Sequence, residues 1–151
     1  MIRWMLAMAL AVGLAPPALA ADIGQIKLAK GSVTIDRDRQ AIPGSLGARL
    51  QQGDVVKTGV DGSVGITMSD NSLLSAGPNS VLALDRYAFD TTTNRGEFDA
   101  SLSRGTLAVV SGRLAKQSPG SMTVRTPSAV LAVRGTEFVV SAGTGAGAAA
   151  R

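Results

Sequence analysis

The sequence predicts an all-β protein, a single domain that is a twisted β-solenoid or a sandwich-like stack of short strands. Turn dipeptides recur eight or nine residues apart, at Gly53-Asp54, Asp61-Gly62, Asp70-Asn71 and Pro78-Asn79. Even spacing of such turn residues, with short runs between them, is typical of sandwiches, barrels and stacked solenoids. Beyond residue 20, no segment sustains the 3.6-residue apolar period of an amphipathic helix. Both observations favour strands throughout the domain.

The first 20 residues are predicted to be a signal peptide. Arg3 supplies the positive start, residues 5–14 form a short apolar run, and Ala18-Leu19-Ala20 matches the small-x-small rule for cleavage. An uncleaved membrane anchor is the alternative, but a spanning helix needs ~20 apolar residues and this run ends at two prolines. We therefore expect cleavage near Ala20 and a mature chain that is periplasmic or secreted, with no transmembrane helix.

Residues 21–142 are predicted to form the folded all-β domain, and residues 143–151 a flexible Gly/Ala tail. A domain of this length buries enough surface to fold without disulfides, which agrees with the absence of cysteine. The 15 basic and 11 acidic residues are scattered, and few aromatic residues accompany them. Nucleic-acid sites need clustered basic residues, often with aromatic stacking platforms, so we expect no nucleic-acid partner.

The first elements are predicted from alternation and from turn residues. Ile26 and Leu28 alternate with polar neighbours, which is the period of a half-buried strand with both residues on one face. The next predicted elements are a turn or bulge at Gly31, a strand at Val33–Ile35, a polar hairpin tip at Asp36–Arg39 and a turn at Ile42-Pro43-Gly44.

Four short strands are predicted between the regular turns, because β-branched and apolar residues fill each interval. They are Val55–Thr58, Ser63–Met68, Ser72–Ala76 and Ser80–Leu84. A longer hairpin follows over Arg86–Arg104, with its tip at Thr91–Arg95 and a cross-strand aromatic pair of Phe89 with Phe98. The remaining elements before residue 126 are a strand at Gly105–Ser111 and a polar loop at Leu114–Gly120, after which Met122–Arg125 leads into the closing stretch.

The longest run with the composition of a buried strand is Thr126–Val140. A one-residue bulge at Gly135 would keep its apolar residues on one face, because one extra residue shifts the register. The predicted inner face then consists of Ala129, Leu131, Val133, Thr136, Phe138 and Val140. Arg134 and Glu137 would point outward, close enough to pair, and form a candidate surface contact. The alternative is a structural role, in which Gly135 supplies the bulge and Arg134 pairs with Glu137.

Absent residue types limit the chemistry, since the sequence contains no histidine and no cysteine. This excludes Ser-His-Asp and Cys-His catalysis, the usual zinc sites and ligation of haem or Fe–S clusters by those residues. We predict no catalytic residue, no metal and no cofactor. Glycoside hydrolysis by two carboxyl groups ~5–9.5 Å apart remains as an alternative. The candidate carboxylates are Asp54, Asp61, Asp70, Asp85, Asp90, Glu97, Asp99 and Glu137.

Two motifs resemble those of the FecR-type periplasmic domain. The closing stretch has the pattern T-P-x-A-V-x-A-V-R-G-T-x-F-x-V, and an upstream segment has L-x-x-G-D-x-V-x-T followed by D-G-S. The resemblance extends from about Gly31 to Ser141. The motif residues, which we interpret as mainly structural, are Gly53, Asp54, Thr58, Asp61, Gly62, Pro127, Arg134, Gly135, Thr136 and Phe138.

This resemblance implies an all-β domain with a non-catalytic binding or protein-interaction role in the cell envelope. Proteins with this domain act as iron-dicitrate sensors and anti-sigma regulators, between an outer-membrane transporter and a cytoplasmic sigma factor. In those sensors a cytoplasmic domain and a membrane helix precede the periplasmic domain, whereas this chain begins with a predicted signal peptide. We therefore expect a stand-alone module whose partner is another envelope protein, linked to signalling or envelope assembly. The alternatives are a self-assembling structural scaffold and a carboxylate-dependent envelope hydrolase.

Overall fold

The computed structural model describes residues 21–134 and 137–143. These residues form twelve strands and one short helix, and the prediction of an all-β single domain is confirmed. In chain order the elements are β1 (Asp22–Lys30), β2 (Val33–Arg37), β3 (Gln40–Pro43), β4 (Arg49–Gln51), β5 (Val55–Thr58), β6 (Ser63–Met68), β7 (Leu73–Ala76), β8 (Val81–Phe89), β9 (Gly96–Val110), α1 (Arg113–Gln117), β10 (Met122–Arg125), β11 (Val130–Ala132) and β12 (Glu137–Ala142).

The strands form one curled sheet whose two halves share β9. We call these halves sheet I, with the order β3-β2-β5-β8-β9-β10-β11, and sheet II, with the order β4-β1-β6-β7-β9-β12. Among the described strands, β9 and β10 pair in parallel and the other pairs are antiparallel. Apolar side chains from both sheets enter one hydrophobic cluster. Its largest fully buried members are Phe98, Ile26, Ile35, Leu50, Met68, Leu74, Leu82, Leu84, Leu102, Leu107, Leu114 and Met122.

A bend in β9 carries the chain from sheet I into sheet II. Ser103 is left without a partner in the pairing with β8, so the alternation of buried side chains shifts by one residue at this point. Gly105 has φ +94°, and a Cβ on it would lie 2.5 Å from the Cα of Ser80. Glycine is therefore required at the bend. The two strands predicted at Gly96–Leu102 and Gly105–Ser111 are one bent strand of 15 residues.

Local turn chemistry predicted several elements correctly. The strands at Val55–Thr58 and Ser63–Met68 have the predicted bounds. Gly31 has φ +62°, as expected for a turn glycine. The predicted polar hairpin tip at Asp36–Arg39 is confirmed at Asp38 and Arg39, which both have positive φ, 50° and 65°, whereas Asp36 and Arg37 belong to β2. These two conformations are those of a type I′ turn, which matches the twist of the flanking strands.

The first two elements also contain errors of prediction. A bulge between Ile26 and Leu28 in the pairing with β6 places the two residues on opposite faces, so Ile26 is buried and Leu28 is exposed. The predicted turn at Ile42-Pro43-Gly44 begins too early. Ile42 and Pro43 belong to β3, which pairs with β2 as an edge strand, where proline is tolerated.

The aromatic pair of the long hairpin is Tyr87 with Phe98, not Phe89 with Phe98. Their ring centroids lie 5.4 Å apart in an edge-to-face arrangement. An irregularity between Leu84 and Arg86 places Tyr87 opposite Phe98, and Phe89 opposite Gly96. Phe89 instead lies beneath the guanidinium of Arg113, 5.3 Å from the ring centroid. The pair therefore depends on a register that sequence spacing does not show.

A short helix, α1, replaces most of the loop predicted at Leu114–Gly120. Its apolar residues Leu114 and Ala115 are buried, and the backbone N–H of Leu114 donates to the carboxylate of Asp70 at 3.2 Å. A segment of five residues is too short to show helical periodicity in sequence. Contacts with the core stabilise this turn of helix, so the expectation of no helix beyond residue 20 is wrong for these residues.

The closing stretch forms two strands rather than one. β11 pairs with β10 in sheet I, whereas β12 pairs with β9 in sheet II. The predicted inner face is confirmed for the described residues: Val133 and Val140 are buried, and Ala129, Leu131 and Phe138 are half-buried. Gly135 and Thr136, and with them the predicted bulge, lie outside the described residues, as do the predicted signal peptide and most of the predicted tail.

Candidate functional site

The Gly53-Asp54 motif places the buried carboxylate of Asp54 in an ion pair with the partly buried Arg37. Gly53 has φ +90° in the turn between β4 and β5. The buried Asp54 carboxylate accepts hydrogen bonds from Nε and Nη2 of Arg37, at 2.8 and 2.6 Å, and from the Gln51 N–H at 2.8 Å. The hydrogen bond to Asp54 raises the pKa of Arg37 above its ordinary value. These contacts join β2 to the turn between β4 and β5.

Thr58 joins two turns by its side chain. Its hydroxyl donates to the carbonyl oxygen of Gly77 at 2.6 Å and accepts from the N–H of Ser80 at 2.9 Å. Thr58 is buried, so both bonds satisfy backbone groups that water does not reach. Threonine at this motif position therefore holds the end of β5 against the loop before β8.

The backbone at Asp61 and Gly62 packs closely against the turn between β1 and β2. A Cβ on Gly62 would lie 2.4 Å from the carbonyl oxygen of Ser32, and a Cβ on Gly31 would lie 2.3 Å from that of Asp61. The Asp61 carboxylate also accepts from the Ser32 N–H at 3.4 Å. The D-G-S motif is thus a packing contact between two turns.

A buried polar network around Asp70 was missed by the sequence analysis, which treated Asp70 as an ordinary turn residue. Its carboxylate accepts from the hydroxyl and the N–H of Ser72, at 2.7 and 3.1 Å, and from the Leu114 N–H. The Tyr87 hydroxyl accepts from the Asp70 N–H at 2.9 Å. Burial, followed by the negative charge of Asp70, raises the pKa of Tyr87 above its ordinary value. The network attaches α1 to the core.

Most candidate carboxylates of the hydrolase alternative have hydrogen-bond partners within the fold. Those with partners are Asp54, Asp61, Asp70, Asp85, Asp90 and Glu97. Backbone N–H groups of Thr92 and Thr93 lower the pKa of Asp90 at the hairpin tip. Among the described residues, no group of three or more Asp or Glu is arranged to hold a metal ion. Each of these six carboxylates thus contacts a turn, an ion-pair partner, the Ser101 hydroxyl or α1.

The predicted surface contact is present only in part. Arg134 and Glu137 are both exposed, as predicted. Within the described part of the chain, however, the ion pairs are Arg37–Asp54, Arg49–Asp22, Lys57–Asp36 and Arg86–Glu97. Arg134 therefore does not pair with Glu137: Arg134 follows β11 in sheet I, whereas Glu137 begins β12 in sheet II.

The outer edge of β11 has backbone groups without a hydrogen-bond partner among the described residues. Val133 donates its N–H to the carbonyl oxygen of Met122 at 2.9 Å, and Ala129 accepts from the N–H of Thr126 at 2.8 Å. Odd-numbered residues thus bond towards β10, because backbone groups alternate in direction along a strand. The N–H and C=O groups of Val130 and Ala132 point to the other side. Among the described strands, β11 pairs with β10 alone.

A groove of about 620 Å³ lies beside the turn that precedes β11. Pro127 and Ser128 of this turn form one wall, Arg104 and Gly105 lie at the bend of β9, and Gly143 follows β12. The Arg104 side chain is exposed and makes no ion pair with the described residues. Pro127, a motif residue, therefore lies where sheet I and sheet II meet, next to the free edge.

The comparison with known families supports the resemblance. Residues 54–150 match the family model described as FecR protein, which is more than half of the chain. The match begins at Asp54, later than the start near Gly31 that the motifs suggested, and includes the closing motif. No curated protein and no solved structure matched the chain. None of the helices described is long and apolar enough to cross a membrane. On the strength of the family match, the chain belongs to the FecR family.

Proposed function

We propose that this chain is a non-catalytic binding module of the bacterial envelope, which recognises a partner protein by adding one of the partner's strands to β11. Membership of the FecR family supports the general role, because that family comprises periplasmic domains associated with sensing and signalling. The observation that carries the proposal is that the backbone groups of Val130 and Ala132 point away from β10 and have no partner in the described part of the chain. Strand addition at an open edge is a common mode of peptide recognition.

β11 differs from the other edges of the described sheet. Natural edge strands are protected against unwanted pairing by charges or by proline. β3 contains Pro43, β4 contains Arg49 and β12 begins with Glu137, whereas β11 has the sequence Val-Leu-Ala. Val130 is 68% exposed. An apolar, unprotected edge in an otherwise protected sheet favours a partner strand at that position.

The neighbouring groove supports the same site. A strand that pairs with β11 and continues past Val130 would reach Ser128, which lines the groove. Main-chain hydrogen bonds at such an edge give affinity, while pockets for side chains give specificity. The exposed guanidinium of Arg104 would favour a partner with an acidic side chain at that end. The edge and the groove thus form one continuous surface.

Ala132→Pro tests the proposal directly. Proline removes the outward N–H of residue 132 and leaves the bonds between β10 and β11 intact, so the domain should remain folded. A photoreactive residue at Val130 should cross-link one specific envelope protein in cells, and Ala132→Pro should abolish that product. The same photoreactive residue at Val60, which is 80% exposed on a turn, should not capture that protein.

Ala41→Pro is the matched control. Gly44 donates its N–H to the Val33 carbonyl oxygen, so Ala41 is at a position whose own N–H points away from β2. The control therefore removes an outward N–H from another edge strand, and the cross-link at Val130 should persist. Persistence of the cross-link in Ala132→Pro would contradict the strand-addition proposal.

A further inference from the structure

The outer face of sheet II is largely apolar across its central strands. Strand pairing places two rows of outward side chains across β1, β6, β7, β9 and β12. The first row is Gln25, Thr67, Leu73, Val110 and Glu137. The second row is Leu28, Gly65, Ser75, Ala108 and Val139. We call these ten residues the sheet II face.

Large apolar side chains are concentrated on this face. Leu28 and Leu73 are each 48% exposed, Val139 is 44% exposed and Val110 is 40% exposed. They are four of the seven exposed large hydrophobic residues in the described part of the chain. Single exposed apolar residues are ordinary, but a contiguous patch on one face marks an interaction surface.

The outer face of sheet I shows the opposite composition. It carries charged residues on several strands, namely Asp36, Lys57, Asp99, Arg104 and Arg125. That is the pattern of an antiparallel sheet with one solvated face. Among the ten residues of the sheet II face, by contrast, Glu137 is the single charged residue, and it lies at one end. Beyond the other end, Arg49 of β4 continues the first row next to Gln25. The outer face of sheet I therefore has the composition of a solvent-exposed surface, whereas the sheet II face has that of a contact surface.

We propose that the sheet II face is covered by a second copy of this chain in a two-fold symmetric dimer. The chain has a formal net charge of +4, so two copies repel each other unless their contact surface is free of like charge. The sheet II face satisfies this condition. Its ends also differ in sign, because β1 carries Lys27 and Lys30 while β12 carries Glu137.

A two-fold axis parallel to β7, the central strand of the face, brings the oppositely charged ends of the two copies together. It places β1 of one copy over β12 of the other, so that the lysines of β1 face the strand of Glu137 at both ends of the interface. Leu28 of one copy then lies over Val139 of the second copy, and Leu73 lies over its own equivalent. Sheets that pack face to face keep their strands nearly aligned, as this axis requires.

The size of the face predicts a weak dimer. Five strands ~4.8 Å apart and two rows of side chains, each occupying ~6.8 Å along the strands, give a footprint of roughly 24 by 14 Å, about 330 Å² per copy. Stable complexes bury about 800 Å² per partner. We therefore expect a Kd of about micromolar or weaker, so that monomer and dimer both appear in an accessible range of concentration.

Sedimentation equilibrium of the purified full chain at rising concentration tests the dimer. Wild-type protein should show an average mass that rises from that of one chain towards twice that value. Leu73→Glu and Leu73→Lys should each remain monomeric, because two equal charges would meet at the axis. An equimolar mixture of the two variants should dimerise again, since each Glu then faces a Lys.

The controls are Val60→Glu and Val60→Lys, which place the same charges at an exposed turn away from the sheet II face and should associate as the wild type does. Ala132→Pro should also dimerise normally, which separates this interface from strand addition at β11. Wild-type protein that remains monomeric at all concentrations would overturn the proposal. Leu73 variants that associate as the wild type does, or that do not recover on mixing, would overturn it too.

Discussion

Replacing the buried Asp54 by asparagine should destabilise the fold strongly. The substitution keeps the shape of the side chain but removes its charge. In the native protein the Asp54 carboxylate accepts two hydrogen bonds from Arg37 and one from the Gln51 N–H. Asparagine offers one acceptor oxygen, and its NH₂ group would face a donor of Arg37 or Gln51. At least one donor therefore loses its partner in a buried site.

The expected loss can be worked from these contacts. A hydrogen bond to a charged group contributes about 1.5–3 kcal/mol, and breaking a buried ion pair costs about 3–5 kcal/mol. The loss of stability is smaller than this sum, because the Arg37 side chain is 25% exposed and water can solvate it. We therefore expect Asp54→Asn to lower the free energy of unfolding by about 2–3 kcal/mol.

Urea denaturation followed by far-ultraviolet circular dichroism measures this change. Glu97→Gln is the matched control, because Arg86 and Glu97 form an ion pair at 3.2 Å whose side chains are 61% and 49% exposed. Such a surface pair contributes about 0–1 kcal/mol. Equal losses for Asp54→Asn and Glu97→Gln would refute the reasoning. So would an Arg37→Ala effect that is the same with and without Asp54→Asn, since paired residues must show coupling.

Three further predictions concern a glycine, the tyrosine and the N-terminus. Gly62→Ala should lower the free energy of unfolding, measured by urea titration, by about 2 kcal/mol or more, because its Cβ would meet backbone atoms at 2.4 and 2.8 Å. Gly53→Ala, whose Cβ meets nothing within 4 Å, should lower it by about 1 kcal/mol for its positive φ alone. A raised pKa of Tyr87 means that the folded state keeps its proton where the unfolded state loses it, so stability should fall as pH rises above ~10. The chain has one tyrosine, so the tyrosinate absorbance should appear only as the protein unfolds; ionisation of the folded protein near the ordinary pKa would contradict this. Mass spectrometry of protein from the envelope should give Ala21 as the first residue, whereas an intact Met1 would contradict cleavage after Ala20.

Long-range pairing is where sequence reasoning reached its limit. The register of β8 against β9 depends on an irregularity between Leu84 and Arg86. Because of it, Tyr87 and not Phe89 packs against Phe98. In β1, the bulge after Ile26 turns Leu28 outward and adds it to the sheet II face. A single extra residue reverses every following side chain, and its position depends on the partner strand. The candidate site also depends on long-range pairing. β11 is an edge because, among the described strands, only β10 pairs with it.

The sequence by itself determined the all-β class, the bounds of strands such as Val55–Thr58 and the family, because turn residues with special backbone conformations act locally. It also predicted which residues of the closing motif face inward, since alternation is a property of one strand. Only the tertiary structure decided that β9 serves two sheets, that Asp54 pairs with Arg37 and that the closing motif divides between sheets. These features require residues far apart in the chain to meet, and the free energy that selects them comes from burying both partners together.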